Sequence, residues 1–239
     1  MRTAYSPSAT RSQQEPDAAD SAIEMPAGYK MTELGPLPEE WEVVELGRVV
    51  RLSTQSVDPG QATSSRYVGL EHIQPGSVRI RSWGEPSQVR SFKTAFQPGD
   101  VLYGKLRPYL DKAAIAEWHG ICSTGILVMK TQDGLMPEFL AFLAHTRHFL
   151  EYSVATMTGV NHPRTSWKAL QQLKVALPPL PEQRAIAGIL RSVDRKIEAE
   201  EARKAALETL FKTLLHQLLT AQLGLPREFI ERFREHSHD

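Results

Sequence analysis

The residues with the clearest chemical potential lie in the segment VLYGKLRPYLDK, which runs from Val101 to Lys112. Cations and aromatic rings alternate along it at Tyr103, Lys105, Arg107 and Tyr109. If a β-strand continues through Pro108, alternate side chains share one face, so the pattern predicts a surface of cations interleaved with rings. Such a surface suits DNA phosphates and base edges. The same alternation also fits a strand whose polar face is merely solvated.

Two further signals favour a nucleic-acid surface. Residues 79–112 hold seven basic and three acidic residues, a local excess of four on a chain of zero net charge, and Lys112 closes that stretch. The loop NHPRTSW, residues 161–167, offers His162 and Arg164 as donors from a backbone stiffened by an internal proline. The alternative for this loop is a turn in which its asparagine and serine cap backbone groups.

The signals for catalysis are weak. Cys122 and His119 would supply a nucleophile and a base, but no third group orients the base, and a lone cysteine in an apolar strand is more often a core residue. Asp194, followed by Arg195 and Lys196, matches part of a nuclease motif without a second carboxylate to complete a metal site. The chain contains neither a G-x-G turn nor a P-loop lysine motif. We therefore expect no catalytic residue, and no metal or cofactor bound by this chain.

Composition indicates the class and the compartment. With 28 basic and 28 acidic residues, the chain cannot bind nucleic acid by bulk charge, although a local patch can. Its single cysteine excludes an internal disulfide and is typical of a reducing cytoplasm. No apolar run approaches the roughly 18 to 20 residues that span a bilayer. The sequence therefore predicts a cytoplasmic protein without a membrane partner.

Four segments follow one another along the chain. Residues 1–28 are poor in large apolar groups and predict a disordered tail. Residues 29–180 hold short β-prone runs separated by Pro-Gly pairs, and then an amphipathic helix that opens at Pro137. This pattern predicts an α+β fold with a compact, mixed or antiparallel, β-rich domain. Residues 181–222 predict one long coiled-coil helix, and residues 223–239 a C-terminal extension.

The long helix carries a heptad pattern. Steps of four and three residues select an a/d seam that is apolar except at two charged positions. The seam consists of Ile186, Leu190, Val193, Ile197, Glu200, Lys204, Leu207, Phe211, Leu214 and Leu218. At about 1.5 Å per residue the helix would extend roughly 60 Å. We therefore expect it to carry the domain on a long arm and to pair with another helix.

Five segments of the chain resemble one known family: YKMTELGPLPEEWEVVELG, FQPGDVLYGKLRPYLDKAAIAEWHGICST, MTGVNHPRTSWKAL, LPPLPEQRAIAGILRSVDRKIE and LFKTLLHQLLT. In this order they are similar to the target-recognition domain and conserved helix of the DNA specificity subunit of type I restriction-modification systems. The resemblance covers roughly residues 29–222. The run LPPLPEQ, which leads into the long helix, is a specific part of it.

The resemblance implies a subunit without catalysis of its own. Members of the family select the DNA sequence and hold two copies of an adenine methyltransferase subunit, which brings S-adenosylmethionine. Through these copies they engage restriction and translocation subunits, which use ATP and Mg. Family members usually contain two recognition domains separated by two antiparallel helices. This chain has one of each and resembles a half-length form, which is either a half that dimerises or a silent cassette.

An antiparallel homodimer centred on Ala202 would match the seam. In that register Glu200 of one copy faces Lys204 of the other. Parallel pairing would oppose like charges, and a slip of one heptad would set Glu200 against Phe211. The mirrored contacts would set orientation and register more than stability. The alternative is an intrahelical pair between Glu200 and Lys204 on a solvated face.

These observations together predict a homodimer that reads an interrupted palindrome in double-stranded DNA. The predicted DNA-binding residues are Tyr103, Lys105, Arg107, Tyr109, Lys112, His162 and Arg164. Of these, Lys105, Arg107 and Arg164 would contact phosphates or guanines. Alternatives from other classes are a self-contained endonuclease, an inactive half-subunit and a purely structural coiled-coil adaptor.

Overall fold

The computed structural model describes residues 26–62 and 66–235, so the predicted disordered tail lies outside the described residues up to residue 25. The chain divides into two units, residues 1–39 and residues 40–239. In the first unit an antiparallel hairpin joins β1 (Tyr29–Thr32) to β2 (Gly35–Pro38). Gly35 adopts a φ of 94° at the turn, a conformation open to glycine.

The second unit contains the remaining described strands and α-helices. Its strands are β3 (Glu42–Glu45), β4 (Val50–Leu52), β5 (Ser56–Val57), β6 (Tyr67–Val68), β7 (Lys93–Phe96), β8 (Val101–Gly104), β9 (Ala113–Ile115), β10 (Gly120–Cys122), β11 (Ile126–Thr131) and β12 (Lys174–Leu177). Its helices are α1 (Leu46–Val49), α2 (Pro137–Leu143), α3 (Arg147–Ala155), α4 (Trp167–Leu170), α5 (Leu180–Leu219) and α6 (Arg227–Glu235).

Three sheets organise the part of this unit that the structure describes. One is antiparallel, with the strand order β4-β11-β8-β9, and a second has the order β5-β7-β10-β6 with a parallel β10–β6 pair. Strands β12 and β3 pair antiparallel, which returns the chain to the start of the unit before α5 begins. The predicted α+β fold, a mixed and largely antiparallel β-rich domain followed by one long helix, is confirmed.

The sheet β4-β11-β8-β9 is covered on both faces. Val101 and Tyr103 belong to a core that includes Phe149 and other residues of α2, α3 and α4. Leu102 and Val128 belong to a second core, which they share with residues of β6, β7 and β10. Continuous apolar runs are typical of strands buried on both faces. Along β8 neither face is therefore left for solvent.

Two apolar runs are each divided between two elements. The run at 121–129 forms β10 and β11, which belong to different sheets because the chain turns between them. The run that opens at Pro137 forms both α2 and α3. Thr146 begins the second of these helices, since its hydroxyl accepts a hydrogen bond from the backbone N of Phe149 at 3.4 Å. Periodicity identified both runs as regular structure and did not locate the breaks.

The first turns of α5 are fixed to the domain rather than free. Gln183 is fully buried, and its side-chain amide makes three hydrogen bonds to the backbone. Trp41 Nε1 donates to a carboxylate oxygen of Glu182 at 2.9 Å. Ile186, predicted in the dimer seam, instead packs against the main core. Beyond these first turns most residues of α5 are exposed. No described helix is both long and apolar enough to cross a membrane.

Candidate nucleic-acid interface

The alternating face predicted on β8 does not exist. The strand ends at Gly104, and Tyr103 is only 2% exposed. Its hydroxyl donates a hydrogen bond to Ser153 Oγ at 2.8 Å, and its ring meets that of Phe149 edge-on, with 5.2 Å between centroids. Burial raises the pKa of Tyr103 to about 12. The prediction that Tyr103 contacts DNA is therefore wrong, because both faces of this sheet are covered.

Beyond Gly104 the chain leaves the sheet and makes a strained turn. Arg107 has a φ of 52° and Asp111 a φ of 50°, both left-handed, on either side of a 3-10 turn over Pro108–Leu110. Such a conformation costs a non-glycine residue about 1–2 kcal/mol. The turn leaves Tyr109 50% exposed. Strain of this kind persists where the surrounding structure enforces it, often at a functional surface.

Side chains from neighbouring segments hold this turn. His145 Nδ1 lies 2.7 Å from Asp111 Oδ1, and His145 Nε2 lies 3.0 Å from the backbone oxygen of Ala113. Lys112 Nζ donates to the backbone oxygen of Leu70 at 2.6 Å. The half-buried Lys112, predicted to contact DNA, therefore uses its ammonium to bind the domain's own backbone beside the turn.

The second predicted loop lies directly beside this turn. Thr158 and Arg164 exchange two backbone hydrogen bonds, so the residues between them form the tip of a short hairpin. The backbone N of Arg107 donates to the oxygen of Pro163 at 2.8 Å. The backbone oxygen of Lys105 accepts from the residue after Arg164 at 3.1 Å. Two segments that are far apart in the chain thus form one surface.

We define the candidate interface by the exposed side chains of Arg107, Tyr109, His162 and Arg164, together with the half-buried Lys105. It combines three cations with a phenol and an imidazole. Cations and hydroxyls bind phosphates, and the same groups donate to or accept from base edges in the major groove. The arrangement can therefore hold a DNA backbone and read bases from one rigid frame.

Two apolar side chains extend this interface and were not predicted. Val160 is 98% exposed at the loop tip, and Leu110 is exposed in the turn. Apolar side chains at such positions can contact a thymine methyl group. Val160 lies between Gly159, whose φ is 94°, and Asn161. An apolar residue inside a Gly-x-Asn turn is the sequence signal that would have identified it.

The predicted local excess of positive charge is not one surface. Arg79 and Arg81 form ion pairs with glutamates on other elements. Lys93 is buried, and its ammonium donates to the backbone oxygen and the hydroxyl of Ser91. These cations stabilise the domain internally, which the count of charges along the sequence could not reveal.

The seam of α5 is an exposed apolar surface beyond its first turns. Its exposed apolar residues are Leu190, Val193, Ile197, Leu207, Phe211, Leu214 and Leu218. The two charged seam positions are paired within the helix, but not with each other. Glu200 lies 2.7 Å from Lys196, and Lys204 lies 3.9 Å from Glu208. Contiguous exposed apolar surface of this kind marks an interaction site.

Cys122 is a core residue and has no nucleophilic character. The side chain is fully buried, and burial raises the pKa of its thiol to about 12. Among the residues that the structure describes, no group of three or more His, Cys, Asp or Glu side chains could hold a metal ion. Asp194 lines the same cavity as Glu117 and Glu138, but these carboxylates do not form such a metal-binding group for the nuclease chemistry considered above.

Alkaline pH should destabilise the fold through this thiol. A cysteine ordinarily ionises near pH 9.0, whereas the folded Cys122 thiol keeps its proton up to about pH 12. Its contribution to stability is therefore present below pH 9 and is lost progressively as the pH rises towards the folded pKa. We expect the excess stability of wild type over Cys122→Ala, measured by urea denaturation, to shrink between about pH 9 and pH 11. A constant difference across this range would contradict the assignment.

Comparison with known proteins places this geometry in a family. Residues 38–209 match the family described as type I restriction modification DNA specificity domain. The chain is 25% identical over 199 residues to the putative type I restriction enzyme MjaX specificity subunit of Methanocaldococcus jannaschii. The match covers 82% of this chain and 46% of that protein. The chain thus spans about half the length of this curated relative.

Solved structures give the same result. The HsdS subunit of Thermoanaerobacter tengcongensis superposes with a TM-score of 0.59 at 27% identity, over 80% of this chain and 52% of that one. A chain from a study of complex assembly and conformational transition of the type I R-M system gives a TM-score of 0.59 at 28% identity, with the same coverage. The family match includes the strained turn, the hairpin loop beside it and most of α5. The resemblance seen in the sequence is confirmed, and the chain belongs to the family of type I restriction modification DNA specificity domains.

Proposed function

We propose that the chain is a DNA recognition subunit of a type I restriction-modification system and acts without catalysis of its own. The observation that carries this proposal is the junction of the 105–110 turn with the 159–164 loop. Backbone hydrogen bonds bring cations and rings from both segments to one exposed surface. In the proposed organisation, residues 29–180 form the recognition domain, 181–222 the helix that pairs and docks partners, and 223–239 an extension.

Within this proposal the interface residues have separate roles. Arg107 and Arg164 contact phosphates or guanine edges, and Tyr109 and His162 contact the bases or sugars beside them. Lys105 contributes charge from a half-buried position. Because the whole chain carries no net charge, its own affinity for DNA is weak, and most of the electrostatic affinity comes from its partners.

A second copy of the chain covers the exposed seam of α5. The two helices run antiparallel about Ala202, and Glu200 of each copy meets Lys204 of the other. Both side chains are exposed and paired only along their own helix, so they can exchange partners at little cost. Phe211, which is 66% exposed, becomes buried against Val193 of the second copy. Two recognition domains related by a two-fold axis then read an interrupted palindrome.

The paired helices hold two adenine methyltransferase subunits. These partners bring S-adenosylmethionine, and through them the complex engages restriction subunits that use ATP and Mg. The proposal is supported by the family match and by the similarity to a chain from a study of type I complex assembly. A self-contained endonuclease is not favoured, since no metal-binding group of side chains occurs among the described residues.

The mass of the complex tests this organisation. We expect native mass spectrometry of the chain co-expressed with the methyltransferase subunit of its system to give two copies of each. The purified chain alone should be a dimer. A complex with a single copy of this chain, or no complex at all, would contradict the proposal.

A further inference from the structure

A chain of ion pairs ties the middle of α5 to the domain. Arg79 lies 3.2 Å from Glu198, and Arg81 lies 2.9 Å from the other carboxylate oxygen of Glu198. Arg81 also lies 3.4 Å from Glu201, and Arg79 lies 3.2 Å from Glu117. We call these five residues the clamp. Because Glu198 is bound by two arginines and is only 23% exposed, the clamp holds more firmly than an isolated surface pair.

The segment that carries Arg79 and Arg81 is hydrogen-bonded to the main sheet. Arg79 forms an isolated parallel bridge with Ile115 of β9. The backbone N of Ile115 donates to the oxygen of Val78 at 2.9 Å, and the hydroxyl of Ser77 accepts from the backbone N of Arg79 at 3.3 Å. The segment that carries both arginines is therefore fixed to the main sheet.

The clamp lies further along α5 than the contacts that hold its first turns. One of these contacts is made by the buried Gln183, fifteen residues before Glu198 and therefore about 22 Å away along the helix. The helix also packs on the core through Ile186 and the buried Ala187. The clamp lies beyond these contacts and restrains the direction of the helix further along its length. Residues 202–216 beyond the clamp are exposed. The part of the helix that contacts the domain therefore ends beside Ala202, where the proposed dimer axis crosses the helix.

We propose that the clamp is a specificity-determining device that sets the spacing between the two half-sites on DNA. The inference rests on the proposed function and adds positioning residues to it, which act through the direction of the helix. From Gln183 to Ala202 the helix is about 28 Å long, so a tilt of about 10° displaces its end by about 5 Å. That exceeds one base-pair step of about 3.4 Å. Two-fold symmetry doubles the effect on the separation of the domains.

Reversal of one charge should loosen the clamp. Glu198→Arg places a third cation between Arg79 and Arg81, and Glu198→Gln removes the attraction more gently. Restoring opposite charges in exchanged positions should close the clamp again. This variant adds Arg79→Glu and Arg81→Glu to Glu198→Arg, Glu201→Arg and Glu117→Arg, because Glu117 also pairs with Arg79. Glu151→Arg is the matched control, because it reverses an exposed ion pair with Arg147 that does not touch α5.

The first measurement needs no DNA. Spin labels at cysteines introduced for Ser87 on the domain and Ala206 on α5, both exposed, report the direction of the helix. The buried Cys122 does not label. Labelled chains are mixed with excess unlabelled chains, so that only distances within one chain are measured. We expect one narrow distance in wild type, in Glu151→Arg and in the exchanged clamp, and a broad or shifted distribution in Glu198→Arg.

The second measurement gives the spacing itself. Each variant is combined with the methyltransferase and given DNA whose half-sites are fixed and whose spacer length varies. We expect wild type to prefer one spacer, and Glu198→Arg to lose about fivefold or more of that preference over neighbouring lengths. The exchanged clamp should restore it. Circular dichroism checks folding, and Glu198→Gln, with a smaller effect in the same direction, serves if Glu198→Arg does not fold.

The outcomes separate the two proposals. If wild type prefers one spacer and both Glu198 variants keep the same preference and the same distance distribution, the clamp proposal is overturned and the proposed function stands. If the distance distribution broadens while the spacer preference is unchanged, the clamp fixes the helix without setting the spacing, and the proposal is again overturned. If the wild-type complex methylates no site in any spacer, both proposals fail.

Discussion

Arg107→Gly is expected to abolish sequence-specific methylation by the assembled complex while the domain stays as stable as wild type. The guanidinium is lost, but a φ of 52° is a conformation that glycine adopts without strain. The relief of about 1–2 kcal/mol is offset in part by the greater freedom of glycine in the unfolded chain. The free energy of unfolding should therefore change by less than about 1 kcal/mol in denaturant titration. Methylation is measured on DNA that contains the recognised site.

The controls for this prediction separate charge from backbone. Arg107→Ala removes the guanidinium and keeps the strain, so it should lose methylation as well. Lys105→Ala combined with Arg107→Ala should remove the cations of the turn without unfolding the domain. Arg90→Ala removes an exposed arginine outside the candidate interface and should leave methylation unchanged. Unchanged methylation in Arg107→Gly and in the double variant would exclude these residues from the DNA interface.

Glu200→Lys is expected to weaken the proposed homodimer about tenfold or more. In the antiparallel register the substitution replaces two mirrored attractions with two repulsions against Lys204. Each exposed pair is worth up to about 1 kcal/mol, and reversal changes its sign, so the total reaches a factor of ten or more in the dissociation constant. Sedimentation equilibrium at low and high salt measures the change, which salt should reduce.

Rescue identifies the pairing as specific. Adding Lys204→Glu to Glu200→Lys restores opposite charges across the dimer in the antiparallel register. Within the monomer, Glu200 lies beside Lys196 and Lys204 beside Glu208, so the double variant does not rebuild those contacts. Dimerisation near the wild-type level in the double variant supports the register about Ala202. Equal dimerisation of wild type and both variants would contradict this antiparallel register.

The order and type of the main elements follow from local patterns. The heptad seam and Pro181 gave α5 to within a few residues of its bounds, Leu180–Leu219. Short β-prone runs separated by Pro-Gly pairs indicated the β-rich domain. These signals act over a few neighbouring residues, which is why sequence periodicity is sufficient to recover them.

Features that depend on packing between distant residues were not predictable in this way. Alternation suggested that Tyr103 shares a solvent face with Lys105, but the sheet is covered on both faces and the strand ends at Gly104. The left-handed turn at Arg107 and its hydrogen bond to Pro163 involve chain segments that no local pattern connects. The sequence identified both halves of the candidate interface, and only the fold placed them side by side.

The heptad pattern likewise could not predict which residues of α5 pack against distant parts of the chain. Ile186 fits the seam by spacing, yet it packs on its own domain because the prolines before α5 and the buried Gln183 hold the first turns there. Arg79 and Arg81 of the clamp were counted in the local excess of positive charge that favoured a nucleic-acid surface. Their partners Glu198 and Glu201 lie more than one hundred residues later, and only the structure brings them together.

In the proposed function, two copies of this chain read an interrupted palindrome and direct an adenine methyltransferase to it. The most direct test is to map methylated adenines in the DNA of cells that express the chain together with that methyltransferase and no other specificity subunit. We expect one motif whose two halves are inverted repeats separated by a spacer of fixed length. A motif with two different halves, or no methylated motif at all, would contradict the proposed function.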